Sequence, residues 1–360
     1  MFKWIKPYII VLCLFASFSE VSARQAKEDS TVFKALPLAY FTPETRIALE
    51  GFAFYSFYAK NSLRKSNVRL FITFTQNMQY LLTLPWQVYT AGDQYFLNGS
   101  IDYRKFPEYY YGLGNNTKED SRALYEFKAL TIKSKSYKKV KRNTYFGLAL
   151  EGQRLTPEFS KTETVFEDIV AENGRAGYSY LGFGPSLMWD RRDHILSPSS
   201  GSFMEITPLF ALGKTAGTAF NYGMLSLDFR HYWSISEKIT WANQLLTQLS
   251  YGKVPFRVLP TLGGPFFHRG YYQGRFRDRH MAVLQSEYRQ HVIGRFGFAI
   301  FGSAGRVYNS LREDLFRHVH LAAGGGLRFR ISKNDRTNVR LDYSFTPDSR
   351  GFYIYFAEAF

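Results

Sequence analysis

Thiols are almost absent from this chain: the one cysteine, Cys13, lies in an apolar stretch near the N-terminus. So few thiols exclude a disulfide framework and a thiolate metal site. The residues before it, "IVLC", lack the small side chains that precede a lipidated cysteine. Long apolar runs are missing too. After Ala23 no segment approaches the roughly 18 apolar residues that a membrane helix requires, so spanning by helices is excluded. No G-x-S-x-G elbow, P-loop or H-E-x-x-H motif occurs, so no cofactor is implied and no catalysed reaction is expected.

The first thirty residues are "MFKWIKPYIIVLCLFASFSEVSARQAKEDS". Lys3 and Lys6 precede an apolar stretch from Tyr8 to Phe18, and Val21-Ser22-Ala23 offers a small-residue cleavage site. That order reads as a secretory signal peptide over 1–23. Aromatics make up 18% of the chain, with 34 Phe and 26 Tyr, while charged residues remain at 21%. An exported chain of this kind is either a soluble β-rich protein or a transmembrane β-barrel with aromatic girdles. The net charge of +16 suits an anionic membrane or acidic partners. With no binding module in view, nucleic acid is not an expected partner.

Periodicity separates these options. In "NVRLDYSF", Val339, Leu341, Tyr343 and Phe345 share one face, while Arg340, Asp342 and Ser344 share the other. The same period of two places Leu327 and Phe329 opposite Arg328 and Arg330, and Leu225, Leu227 and Phe229 opposite Asp228, Arg230 and Tyr232. Gln285, Glu287 and Arg289 likewise oppose Leu284, Ser286 and Tyr288. The segments run to about 10–15 residues, where soluble strands average about 5–6. Short connections such as "SISEK" (234–238) and "SKNDR" (332–336) alternate with long ones near 105–120, 153–175 and 252–279. These features predict an all-β fold, a transmembrane antiparallel β-barrel over 43–360 that follows a short periplasmic segment over 24–42. Fifteen candidate strands run from 45–59 to 350–360. Barrels of this kind have even counts, so about sixteen strands are expected, or about fourteen. "FKALPLAYF" (33–41) is the natural sixteenth.

Several stretches resemble the BamA/TamA superfamily of outer-membrane proteins, the "bacterial surface antigen" barrels. They are "LGFGPSLMWDRRDHILSPSSGSFMEI" (181–206), "LGGPFFHRGYYQGRFRD" (262–278), "QSEYR" (285–289) and the terminal Phe360. The resemblance implies an integral outer-membrane protein that assists insertion or translocation of polypeptides, with client polypeptides as possible partners. Surrounding lipid and lipopolysaccharide, and the barrel-assembly machinery during biogenesis, are the other partners it implies. The closing stretch "SRGFYIYFAEAF", with Gly351, Phe356 and Phe360, looks like the signal that machinery reads. Members that move proteins carry POTRA domains ahead of the barrel. Only about twenty residues separate Ala23 from the first strand, too few for such a domain, so a barrel without POTRA domains is expected.

The resemblance also implies that the loop around Arg269, Gly270, Tyr271 and Asp278 folds back into the lumen, where its arginine pairs with acidic wall residues. A buried guanidinium needs such a carboxylate. Glu287 and Asp342 face inward by parity and are the candidate partners; Ser303 stands where many members place an aspartate. Asp190 shares its inward parity with Gly182, Gly184 and Ser186, a small-residue stripe on which the inserted loop is expected to dock. Asp190, Asp193 and His194 in "WDRRDH" read as turn chemistry rather than a metal site. "KSKSYKKVKR" (133–142) reads as a basic turn that suits anionic head groups. Two rival roles fit the same fold. One is a passive or gated pore favouring anions through Arg328, Arg330 and Arg340; the other is a structural barrel anchoring surface partners.

Overall fold

The computed structural model describes residues 31–42, 46–62, 64–76, 78–120, 122–158, 174–313, 317–330 and 338–360. The expected signal peptide and the "SKNDR" turn lie outside these residues. In chain order the strands are β1 (Val32–Thr42), β2 (Arg46–Tyr58), β3 (Lys65–Thr75), β4 (Tyr80–Tyr89), β5 (Tyr95–Lys105), β6 (Glu108–Tyr110) and β7 (Ala123–Tyr125). There follow β8 (Phe127–Lys141), β9 (Thr144–Pro157), β10 (Tyr178–Asp190), β11 (Gly201–Thr215), β12 (Thr218–Ser236), β13 (Ile239–Gly252) and β14 (Thr261–Leu262). The last are β15 (Phe276–Arg277), β16 (His280–Ile293), β17 (Phe296–Tyr308), β18 (His320–Arg330), β19 (Asn338–Phe345) and β20 (Arg350–Phe356).

Sixteen of these form one antiparallel sheet in chain order, the barrel wall; β6–β7 and β14–β15 are small hairpins within the long loops. The period of two in the sequence becomes the inside and outside of that wall. Along β10, Tyr178, Tyr180, Ser186, Met188 and Asp190 are buried, whereas Leu181 and Phe183 are 62% and 50% exposed. Leu148 on β9 and Leu327 on β18 are 62% and 63% exposed. A continuous belt of such residues cannot face water, and lipid is the solvent that accepts it. One end of the barrel carries short turns, such as 142–143 and 294–295; the other carries the long connections 106–126, 158–177 and 253–279.

The expected strands are present, with three corrections. "FKALPLAYF" is strand β1, which completes the expected 16, so the wall begins at Val32, inside the segment assigned to a separate periplasmic stretch. "KSKSYKKVKR" is mostly strand rather than turn, since β8 continues to Lys141. Two of its lysines are held there by wall carboxylates: Lys133 pairs with Glu151 at 3.1 Å, and Lys135 pairs with Glu205. Finally, the closing strand stops at Phe356 instead of running to Phe360. Ala357 takes a φ of 69°, and residues 357–360 turn inward and are buried. The reason is electrostatic: Glu358 cannot face lipid, and buried guanidiniums await it inside.

The two ends of the sheet meet without a shared ladder among the described residues. Phe356 has the outward parity of β20, being paired with Val339. It packs against the inward-facing Phe52 and Phe54 of β2, with ring centroids 5.3 and 5.1 Å apart. The last strand therefore tucks inside the first hairpin, and aromatic contact closes the seam.

Candidate functional site: an ionic cluster in the lumen

Loop 253–279 lies inside the barrel. Its first part packs Val254 and Phe256 onto Tyr110, Tyr125, Phe127 and Tyr178, and its second packs Leu262, Tyr271 and Phe276 onto Met281, Val283 and Val307. The turn that presents Arg269 needs Gly270, whose φ is 118° and whose Cβ position would lie 2.7 Å from Thr346 Cγ2. The Gly270 amide donates to the Tyr353 hydroxyl at 3.0 Å. Tyr271 donates from its hydroxyl to the Leu321 carbonyl at 3.3 Å.

Arg269 is 1% exposed. Its Nη1 donates to Asp342 at 2.6 Å, its Nη2 donates to Glu287, and its guanidinium carbon lies 3.4 Å from the centroid of the Phe301 ring. Both carboxylates serve further arginines. Glu287 accepts from Arg289 at 2.9 Å and Arg328 at 3.0 Å, while Asp342 accepts from Arg328 at 2.6 Å and Arg340 at 2.5 Å. Glu358 from the inturned tail accepts from Arg328 at 2.8 Å and Asn338 at 2.7 Å. Arg289 also donates to the Phe360 carbonyl at 3.0 Å, and Arg340 to the Pro265 carbonyl at 2.7 Å. Buried charges on this scale persist only when each is paired and hydrogen-bonded, which this arrangement achieves.

The cluster thus brings Arg269, placed in the lumen by the resemblance, to Glu287 and Asp342, which parity had put on the inner face. Ser303 meets the loop through a different residue, its hydroxyl lying 3.1 Å from His268 Nδ1. Asp278 stands apart, its carboxylate accepting from the Arg279 amide at 2.8 Å. Asp190 does not receive the loop. It accepts from Arg192 at 2.9 and 3.0 Å and from Arg64 at 3.4 Å. The stripe beside it is filled by neighbouring strands: a Cβ on Gly184 would meet the Pro208 carbonyl, and one on Gly182 the Leu209 side chain. The Arg269 turn docks instead on β16 to β20. Gly351 lies beside that dock, where its missing side chain leaves room for the Tyr353 hydroxyl. Phe356 seals the seam, and Phe360 is buried against Tyr232 and Ala242 at the short-turn end.

Sequence reasoning missed Arg289, Arg328, Arg340 and Glu358 as members of the cluster that holds the loop. Parity had placed these arginines inside, and Glu358 broke the apolar row of the last strand. Both signals were present, but neither says which acid meets which base. Asp193 and His194 are turn caps, accepting backbone amides of Ser199, Ser200, Leu196 and Ser197. Arg328 and Arg340, proposed as anion-favouring lumen charges, are neutralised within the cluster.

A sixteen-stranded membrane barrel whose own loop enters the lumen through an Arg-Gly-aromatic turn paired with two wall carboxylates defines a distinct class. The chain belongs to the Omp85 superfamily, whose domain model matches residues 58–356. No curated protein matches it. Among solved structures it resembles BamA from Haemophilus ducreyi lacking POTRA domains 1–3, at a TM-score of 0.58 and 14% identity over 91% of this chain and 69% of that one. It also resembles CdiB from Acinetobacter baumannii, at 0.54 and 12% over 92% of this chain and 60% of that one. CdiB from Escherichia coli gives 0.54 and 11% over 90% of this chain and 61% of that one. This chain therefore spans about three fifths of the CdiB chains. At such identities the likeness establishes the fold.

Proposed function

We propose that this protein is an integral barrel of the bacterial outer membrane that assists polypeptides in inserting into or crossing that membrane, and that it catalyses no reaction. The observation that carries this reading is the seam. β1 and β20 share no ladder among the described residues, and the join rests on Phe356 against Phe52 and Phe54. Edge strands with free backbone groups are templates for another strand. An opened seam would offer both edges to an incoming chain while loop 253–279 keeps the lumen closed. In this orientation the short turns face the periplasm.

A lock across the seam tests the reading. Cysteines introduced as Phe54→Cys and Phe356→Cys, joined by a short crosslinker in cells, should lower the abundance of client outer-membrane or surface proteins, and cleaving the link should restore it. If locked cells keep every such protein at its normal level, the assembly role falls.

A further inference from the structure

A cavity of about 510 Å³ opens at the short-turn end, lined by Arg64, Arg142, Asn143, Trp189, Arg191 and Arg192. Three separate connections supply it: 59–64 brings Arg64, the β8–β9 turn brings Arg142 and Asn143, and the end of β10 brings the rest. Asp190, next to this lining at the end of β10, is already saturated. Its Oδ1 accepts from the amide and Nε of Arg192, and its Oδ2 accepts from Arg192 Nη2 and Arg64 Nη1. Arg142 and Arg191 form no ion pair among the described residues. Arg191 instead lies 5.7 Å from the centroid of the Trp189 ring. The lining thus carries four guanidiniums and no carboxylate, and only two of the four are committed to Asp190, leaving the cavity cationic.

Trp189 carries the outward parity of β10 at the strand's last turn-end position, where barrels place their interfacial aromatics. The cavity accordingly lies at head-group depth. Guanidinium forks match phosphate oxygens two at a time, and a side-chain amide adds a neutral donor. We infer that this cavity is a binding site for a phosphate group carried by an anionic phospholipid or by a small phosphorylated solute. The site is separate from the lumen cluster and does not depend on the assembly role.

The test uses the full chain purified in neutral detergent. Short-chain phosphatidylglycerol, short-chain phosphatidylcholine and inorganic phosphate are titrated separately, with binding read by native mass spectrometry and ³¹P line broadening. Arg142→Gln with Arg191→Gln should weaken phosphatidylglycerol binding roughly 25-fold, at about fivefold per arginine. Arg312→Gln, exposed at the opposite end, should leave it unchanged. Since neither Arg142 nor Arg191 forms an ion pair, the double variant should keep heat-modifiable migration; if it does not, either single variant should show the fivefold loss. Binding of phosphatidylglycerol alone identifies the membrane as the source, and binding of inorganic phosphate as well admits soluble solutes. Equal affinity for phosphatidylglycerol and phosphatidylcholine, or unchanged affinity in the arginine variants, overturns the proposal.

Discussion

Arg269 and Asp342, 73 residues apart in sequence, meet at 2.6 Å in the barrel interior. One arrives on a loop and the other on a wall strand, so this contact fixes how deeply the loop sits. It is not an isolated pair. Each carboxylate in the cluster is shared among arginines, which makes the members unequal in what their loss would do.

Glu287 is the hub, and its removal should cost more than removal of Arg269. Without Arg269, Glu287 keeps Arg289 and Arg328, and Asp342 keeps Arg328 and Arg340. Without Glu287, Arg269, Arg289 and Arg328 all lose a partner in a closed interior. Glu287→Ala should therefore lose about 3–5 kcal/mol, while Arg269→Ala should lose less but free the loop. Unfolding in urea within lipid vesicles gives the first comparison. Planar-bilayer conductance gives the second, with near-silence in the wild type and current in Arg269→Ala.

Backbone geometry at Gly270 should be as demanding as charge. An alanine there would sit at a φ of 118° with its Cβ 2.7 Å from Thr346 Cγ2. Gly270→Ala should destabilise the docked loop by about 1–3 kcal/mol. Faster cleavage of 253–279 by added protease, with the wall intact, is the expected reading.

The inturned tail should anchor through Glu358. Glu358→Gln keeps the shape but removes the charge that meets Arg328 at 2.8 Å, a charge-assisted bond of about 1.5–3 kcal/mol. Labelling of a Ser→Cys variant at Ser197, whose hydroxyl accepts from Asn338 at 3.3 Å, should become faster in Glu358→Gln. Unchanged labelling would mean that the charge on Glu358 does not hold the tail.

Loop docking should weaken in acid. Burial, and then the neighbouring His320, push His268 from 6.5 down to about 3. Between those values the released loop binds a proton that the docked loop refuses, so docking is fully stable above about pH 6.5 and loses at most about 1.4 kcal/mol per unit below it. Glu108 behaves differently. Burial would raise its carboxyl, but Arg257, Arg104 and Arg277 together hold it below its usual 4.5. Its contribution is lost only as pH falls through that depressed value. Protease release of the loop at pH 5 should therefore exceed that at pH 7, and His268→Gln should flatten the difference.

Sequence by itself determined the wall. Alternation in "NVRLDYSF" and "GLRFRI" fixed which side chains face lipid, because a strand's period of two is local and needs no partner to be read. It also put Glu287, Asp342 and the lumen arginines on the inner face. What only the tertiary structure decided is who meets whom there. Parity gives a direction but not a depth or a distance, so Asp190 was matched to the loop when Arg64 and Arg192 already occupied it. The fate of Glu358 was hidden for the same reason: its turn inward answers charges on β16 and β18, and that demand exists only once the sheet has curled to bring them together.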